Sequence, residues 1–269
     1  WEAEELGRDG HPATNRRMAA PRGKVADVVP LWKQHTVGYD PHYYPDIQIV
    51  AKRFNVPQLR RKRRISVLLP WNYQQTDQRY PVLYLQDGQN LFEHNAPFGT
   101  WGVDKKLAYM AQHGKGDFIV VAIDHGGKDR IREFSPYDTH KWGEGMGREY
   151  ARFMVETLKP YIDKQFRTLP DRAHTGVGGS SMGGLISIYA GLMFPQVYSK
   201  FMIFSPSLWL TPRIYFEPMH FSAFSSTTKI YLYGGGKEGG GMVANAQKFK
   251  NAVEKRGMAP GLLQFRLEI

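Results

Sequence analysis

A serine set between glycines at −2 and +2 is the residue of this chain best placed for covalent chemistry. Gly179-Ser180-Ser181-Met182-Gly183 reads as G-x-S-x-G, a spacing that lets a serine stand on a sharp strand-to-helix turn with its hydroxyl clear of the sheet. Met182 to Pro195 reads as an apolar helix in which Gly183, Ser187 and Ala190 share one face, small enough for close packing on the neighbouring strand. A helix that begins at Met182 aims free backbone N–H groups and a partial positive charge at Ser181. This is equipment for attack on an acyl carbon, with Ser181 as nucleophile; Ser180, which does not have glycine at both −2 and +2, is expected to face away from the pocket. The plainer reading is a glycine-rich turn carrying an incidental serine.

Three further stretches carry polar residues that packing alone does not require. Gln86-Asp-Gly-Gln-Asn90 is a turn able to aim a backbone N–H, that of Gln89, at an oxyanion, although an Asp-Gly turn needs no function to explain it. Asp124-His-Gly-Gly127 leads into Arg130-Ile-Arg-Glu133, where Arg130 and Glu133 are expected to form an ion pair that fixes the loop. Gly234-Gly-Gly-Lys-Glu238 places a carboxylate beyond another strand, and a serine followed by an acid on a later strand has the chain order of an α/β-hydrolase triad. Trp101, His125, Arg130 and Trp209 are the candidates for the substrate rim. Trp209 is either an exposed stacking surface or a core residue. Metal-ligand spacings and phosphate loops are absent, so neither a metal nor a cofactor is expected.

The elements that must hold these residues alternate from Tyr39 onward. Gln48–Phe54 and Ile65–Leu69 read as antiparallel edge strands, and Val82–Leu85, Phe118–Ile123, Phe201–Phe204, Ile230–Tyr233 and Leu263–Leu267 as buried strands of a mostly parallel sheet. Tyr150, Phe153, Met154, Thr157, Leu158, Tyr161 and Ile162 recur at helical spacing as one apolar stripe. Asp104–His113 and Val243–Arg256 are the other expected crossover helices. This alternation predicts an α/β fold with helices on both faces of the sheet and ligands at the carboxyl ends of the strands.

Composition sets the bounds. The 269 residues are 42% apolar, enough for one large core, and contain no cysteine, which excludes disulfides and thiolate chemistry. No apolar run is long enough to span a membrane. The net charge of +11 raises the question of nucleic acid, but its densest run, Arg60–Arg64, leads straight into a strand and reads as a solvated strand start, so no nucleic-acid partner is expected. The charge still suits anionic substrates or polymers. Residues 1–38, polar and rich in Gly and Pro, are set apart as the remnant of a β module or a leader arm, and residues 39–269 as the catalytic domain.

In order and spacing, Leu59–Leu69, Tyr84–Phe92, Trp101–Asp104, Arg130–Tyr137, Gly179–Gly184, Ser205-Pro-Ser-Leu-Trp209 and Leu232–Glu238 together resemble the esterase family that includes enterochelin, feruloyl and acetylxylan esterases and the mycolyltransferases. The resemblance runs from about Tyr39 to the end of the chain, and residues 1–38 are similar to the end of a carbohydrate-binding β domain. It implies an α/β-hydrolase fold, Ser181 as nucleophile, the N–H groups of Met182 and of the Gly88–Asn90 turn as oxyanion donors, and a carboxylate near Glu238 as orienter. It also implies a small-molecule or polysaccharide ester as substrate and a periplasmic or secreted location; oligomeric state has no signature in the sequence. The family places its histidine after the last strand, yet none of the nine histidines follows Glu238. The expectation is therefore that the natural chain continues past Ile269 and supplies the base there. The function expected is ester hydrolysis; acyl transfer on the same site and a non-catalytic carbohydrate-binding protein on the same fold are the alternatives.

Overall fold

The structure, a computed structural model, describes residues 5–6, 31–32, 38–93, 96, 99–211, 213–214, 227–235, 238, 241–255 and 263–268. Two short strands, β1 (Glu5–Leu6) and β2 (Leu31–Trp32), pair antiparallel apart from the main sheet. The main sheet has eight strands: β3 (Asp46–Val56), β4 (Arg61–Leu69), β5 (Val82–Gln86), β6 (Ile119–Ile123), β7 (Thr175–Ser180), β8 (Lys200–Phe204), β9 (Lys229–Gly235) and β10 (Leu263–Glu268). Their order is β10-β9-β8-β7-β5-β6-β4-β3, parallel from β10 through β6 and antiparallel beyond. Only β3 is the edge expected of the first hairpin, because β4 is paired on both sides.

Side-chain alternation along the central strands separates two cores. Val82 and Tyr84 of β5 and Ile119, Val121 and Ile123 of β6 face one layer, while Leu83, Leu85, Val120 and Ala122 face the other. The second layer receives α1 (Val103–Gln112) through Leu107. The first receives α3 (Gly147–Arg152), which runs through a π-helical stretch (Phe153–Leu158) into α4 (Lys159–Gln165), together with α5 (Met182–Met193) and α6 (Met242–Glu254). A short α2 (Arg130–Phe134) precedes α3. The wide turn lies just ahead of Pro160, which has no N–H to donate to the helical ladder. It also shifts the apolar stripe: Tyr150, Phe153, Met154, Leu158 and Ile162 are fully buried, whereas Tyr161 is 37% exposed, edge-on to Phe54, and Thr157 bonds Gln58.

Because β5 leads to β6 on one side and its other neighbour is β7, the chain switches direction between β5 and β7. An open α/β sheet leaves a crevice at such a point. The Gln86–Asn90 turn and Ser181 both stand there. Among the described residues no helix is long and apolar enough to cross a membrane, and no group of three or more His, Asp or Glu side chains gathers to hold a metal.

The arginine run differs from the expected solvated strand start. Arg63 is buried against the fully buried Glu133, Arg61 pairs with Asp129 and reaches Glu133 at 3.4 Å, and Arg64 grips Asp124 at 2.9 Å and also pairs with Glu93. Every second residue of a strand faces inward, so a basic strand start must bury some of its charge, and carboxylates from the loops after β5 and β6 receive it. Arg63→Met should therefore destabilise the fold by about 3–5 kcal/mol by stranding Glu133, while Arg63→Met combined with Glu133→Leu should recover most of the loss. Urea midpoints at unchanged m-value measure both; a single variant within about 0.5 kcal/mol of wild type would remove this pair from the core.

Candidate active site

Ser181 adopts φ 56°, ψ −120°, between the last residue of β7 and the first of α5. A residue with a Cβ reaches this region only at a cost of about 1–3 kcal/mol, so the surroundings must enforce it. They do so on both sides: the Ser181 N–H donates to the Phe204 carbonyl at 2.9 Å, and the Ser181 carbonyl accepts from Ser207 N–H at 3.0 Å and from Leu185 N–H at 3.1 Å. The flanking glycines are dictated by contact. A Cβ on Gly179 would sit 2.8 Å from the Gly183 carbonyl carbon, and one on Gly183 would sit 2.9 Å from Asp87 Oδ2 and 3.0 Å from Gln86 Cβ.

The Ser181 hydroxyl lies 3.0 Å from the Ser207 hydroxyl. It faces a cleft of about 630 Å³ lined by Asn90, Trp101, His125, Lys128 and Arg130 among others. Ser180, expected to point away, lines this cleft as well as the neighbouring apolar cavity of about 650 Å³, with Trp101 shared between the two. Met182 heads α5, where its N–H has no acceptor within the helix.

Across the cleft, Asp87 also holds a positive φ, 58°, and opens the tight turn Gly88–Asn90. The N–H groups of Asn90 and Leu91 are committed to Asp87 and Gly88 carbonyls at 2.8 and 3.3 Å, whereas that of Gln89 comes too early in the turn to find an internal acceptor. The Gln89 side chain clamps the His125 backbone, donating to its carbonyl at 3.2 Å and accepting from its N–H at 3.1 Å. Arg130 grips both oxygens of Asp87 at 2.6 and 2.8 Å and lies over Phe134. The expected Arg130–Glu133 pair is therefore replaced: Arg130 takes Asp87, and Glu133 takes Arg63. Both residues lie on one short helix, but each is met by an oppositely charged partner from another element, Asp87 beyond β5 and Arg63 on β4.

His125 Nδ1 accepts the Gly127 N–H at 2.9 Å, which leaves the proton on Nε2. Burial lowers its pKa, partly opposed by Asp87, so the ring is neutral at pH 7. Of the other described histidines, His42 stacks on Trp71, His113 caps α1, His140 is exposed, and His174 pairs with Asp171 before β7. No described histidine is hydrogen-bonded to Ser181. His220 lies outside the described residues. Trp209 is 51% exposed and lines neither cavity, so it is no core residue.

Glu238 accepts a 2.6 Å hydrogen bond from Ser205, which has φ 41° and donates its own N–H to Tyr233 at 2.8 Å. Ser205 and Ser207 thus bracket one proline, the first bonded to Glu238 and the second to Ser181. Sequence reasoning assigned neither serine, nor Asp87. The available signal was a Ser-Pro-Ser turn after a buried strand, at the same sheet end as the other polar turns.

A model of the family described as "Putative esterase" matches residues 57–256. The uncharacterized protein YbbA of Bacillus subtilis is 24% identical over 184 residues, covering 66% of this chain and 69% of its own. The ferri-bacillibactin esterase BesA of Bacillus subtilis is 27% identical over 161 residues, 53% of either chain, so the chain spans about half the length of that relative. A solved ferulic acid esterase superposes with TM-score 0.63 at 20% identity, covering 84% of this chain and 90% of its own, which is a likeness of fold. With three quarters of its length inside the family model, the chain belongs to this esterase family, carboxylic-ester hydrolases with the α/β-hydrolase fold.

Proposed function

We propose that the cleft hydrolyses an ester through a Ser-His-acid mechanism with Ser181 as nucleophile. The observation that carries this reading is the Ser181 backbone, φ 56° and ψ −120° at the head of α5, since a strained non-glycine residue at a strand end lifts its hydroxyl into the cleft. In the proposed cycle Ser181 Oγ attacks the carbonyl carbon while a base accepts its proton. The oxyanion forms between the N–H groups of Met182 and Gln89, the alcohol departs with the proton, and water repeats the sequence on the acyl-enzyme. Glu238, with Oε1 held by Ser205, offers Oε2 to orient the imidazole. The base itself is assigned to a histidine outside the described residues, because His125 is engaged through Nδ1 with Gly127.

The substrate proposed is an acylated carbohydrate, a feruloyl-type ester or a siderophore ester. Trp101 offers a ring to stack on, and Lys128, beside the Asp87-bound Arg130, suits phenolate or carboxylate groups at the cleft. The relatives named for ferri-bacillibactin and for ferulic acid fit that chemistry. Exposed Trp209 is proposed as an outer stacking surface for the sugar or aryl part. At least one of methyl ferulate, acetylated xylan and a catecholate siderophore should show a higher kcat/KM than p-nitrophenyl acetate. A protein that turns over none of the four would refute the proposal.

Ser181→Ala should abolish nearly all p-nitrophenyl acetate hydrolysis, whereas Ser180→Ala, which lines the cleft without the strained backbone, should cost far less. Equal losses would reassign the nucleophile. Glu238→Gln should lower kcat by roughly 10³- to 10⁴-fold with little change in KM; a loss below about tenfold would give the orienting role to another group.

A further inference from the structure

We propose that the groove over the β3–β4 hairpin binds an acidic polysaccharide, presenting its esterified units to Ser181. Lys52, Arg53, Arg60, Arg61, Lys62 and Arg63 line an open groove of about 570 Å³, walled on its far side by Gly126 and Asp129. Arg61 and Arg63 are spent on Asp129 and Glu133. Lys52, Arg53, Arg60 and Lys62 are exposed and pair with no carboxylate among the described residues. Four like charges in one groove repel one another until an anion enters.

The backbone is shaped to converge them. A regular strand sends successive side chains to opposite faces, but the β3–β4 ladder slips register between Ile49 and Ala51 and again between Ala51 and Phe54, so the consecutive Lys52 and Arg53 are both exposed. Arg60 holds φ 52°, a left-handed conformation that a turn ordinarily gives to Gly or Asn. An unstrained residue there would close the hairpin at less cost, and arginine instead adds a guanidinium beside Arg61 and Lys62.

The groove and the cleft are two sides of one loop. Gly126 and Asp129 face the groove, whereas His125, Gly127, Lys128 and Arg130 face Ser181. A chain lying in the groove therefore passes within one loop of the nucleophile, the geometry needed to deliver a pendant ester. Among the described residues the groove wall carries no aromatic ring for base stacking and no apolar side chain to enter a bilayer, so neither single-stranded nucleic acid nor a lipid surface finds its usual second contact there. Guanidinium forks match carboxylates bidentately, which suits uronate-bearing polymers. This inference rests on the carbohydrate-ester reading of the cleft.

Binding of polygalacturonate to full-length Ser181→Ala protein, titrated at 50 and 300 mM NaCl, separates the two claims because it needs no turnover. Binding that weakens with salt, and falls at least tenfold in Lys52→Glu/Lys62→Glu but not in the equally charged control Lys115→Glu/Lys248→Glu, is the expected result. If the reversal lowers the thermal midpoint, Lys52→Gln/Lys62→Gln is measured in its place, with a smaller loss expected. Wild-type affinity in the groove variants, equal binding of neutral xylan, or tighter binding of duplex DNA or phosphatidylserine vesicles would overturn the proposal. Absence of ester turnover in the unmutated protein would instead count against the esterase reading alone.

Discussion

The backbone of Ser181 is the constraint around which this domain is built. A side chain at φ 56°, ψ −120° survives only where the flanking structure leaves it no alternative, and here the flanks are the end of a buried parallel strand and the first turn of a buried helix. Phe204 and Ser207 hold its N–H and carbonyl from the neighbouring strand and turn. The small residues of the motif follow from this. Neither Gly179 nor Gly183 has room for a Cβ, which at the first would meet the Gly183 backbone and at the second the Asp87 carboxylate, so the Ser181 turn and the proposed oxyanion turn pack closely. Burial of the sheet supplies the rigidity, the strain supplies the exposure of the hydroxyl, and the helix N-terminus supplies the electrostatics.

A second set of interactions ties the strand ends into one frame. Arg130 joins the turn after β5 to the loop after β6, while Arg61, Arg63 and Arg64 reach the same loops from the hairpin on the other side. Burying such pairs costs desolvation that their mutual attraction only about balances, so their value lies in geometry more than in net stability. Each arginine has donors in a fixed plane, and Arg130 on both oxygens of Asp87 fixes the carboxylate that packs against Gly183. The same accounting separates used from unused charge in the basic hairpin: pairing absorbs three of its arginines, and the remaining cations lining the groove pair with no carboxylate among the described residues.

The fold was legible in the sequence because apolar runs such as Val82–Leu85 and Phe118–Ile123 admit few readings, and because local patterns report local structure. The strained position of Ser181 was also legible, from its paired glycines. What the sequence left hidden depends on pairing across the fold. Arg60–Arg64 looked solvated because the carboxylates that receive these arginines lie 29 to 70 residues away. Arg130 and Glu133, three residues apart, looked like natural partners, yet each found a closer match on another element. Ser205 and Ser207 carried no motif of their own; their relation to Glu238 and Ser181 exists only once β8 lies between β7 and β9. Trp209 could be placed only by burial, which no local pattern encodes.

The central claim is that strain and helix polarity make Ser181, and no other serine at this sheet end, a nucleophile. Treatment of the unmutated protein with a fluorophosphonate, followed by intact-mass analysis and peptide mapping, tests it without any assumption about the natural ester. The account predicts one adduct per chain, on Ser181. An adduct on Ser180, Ser205 or Ser207, or a protein that hydrolyses esters while remaining unlabelled, would contradict it.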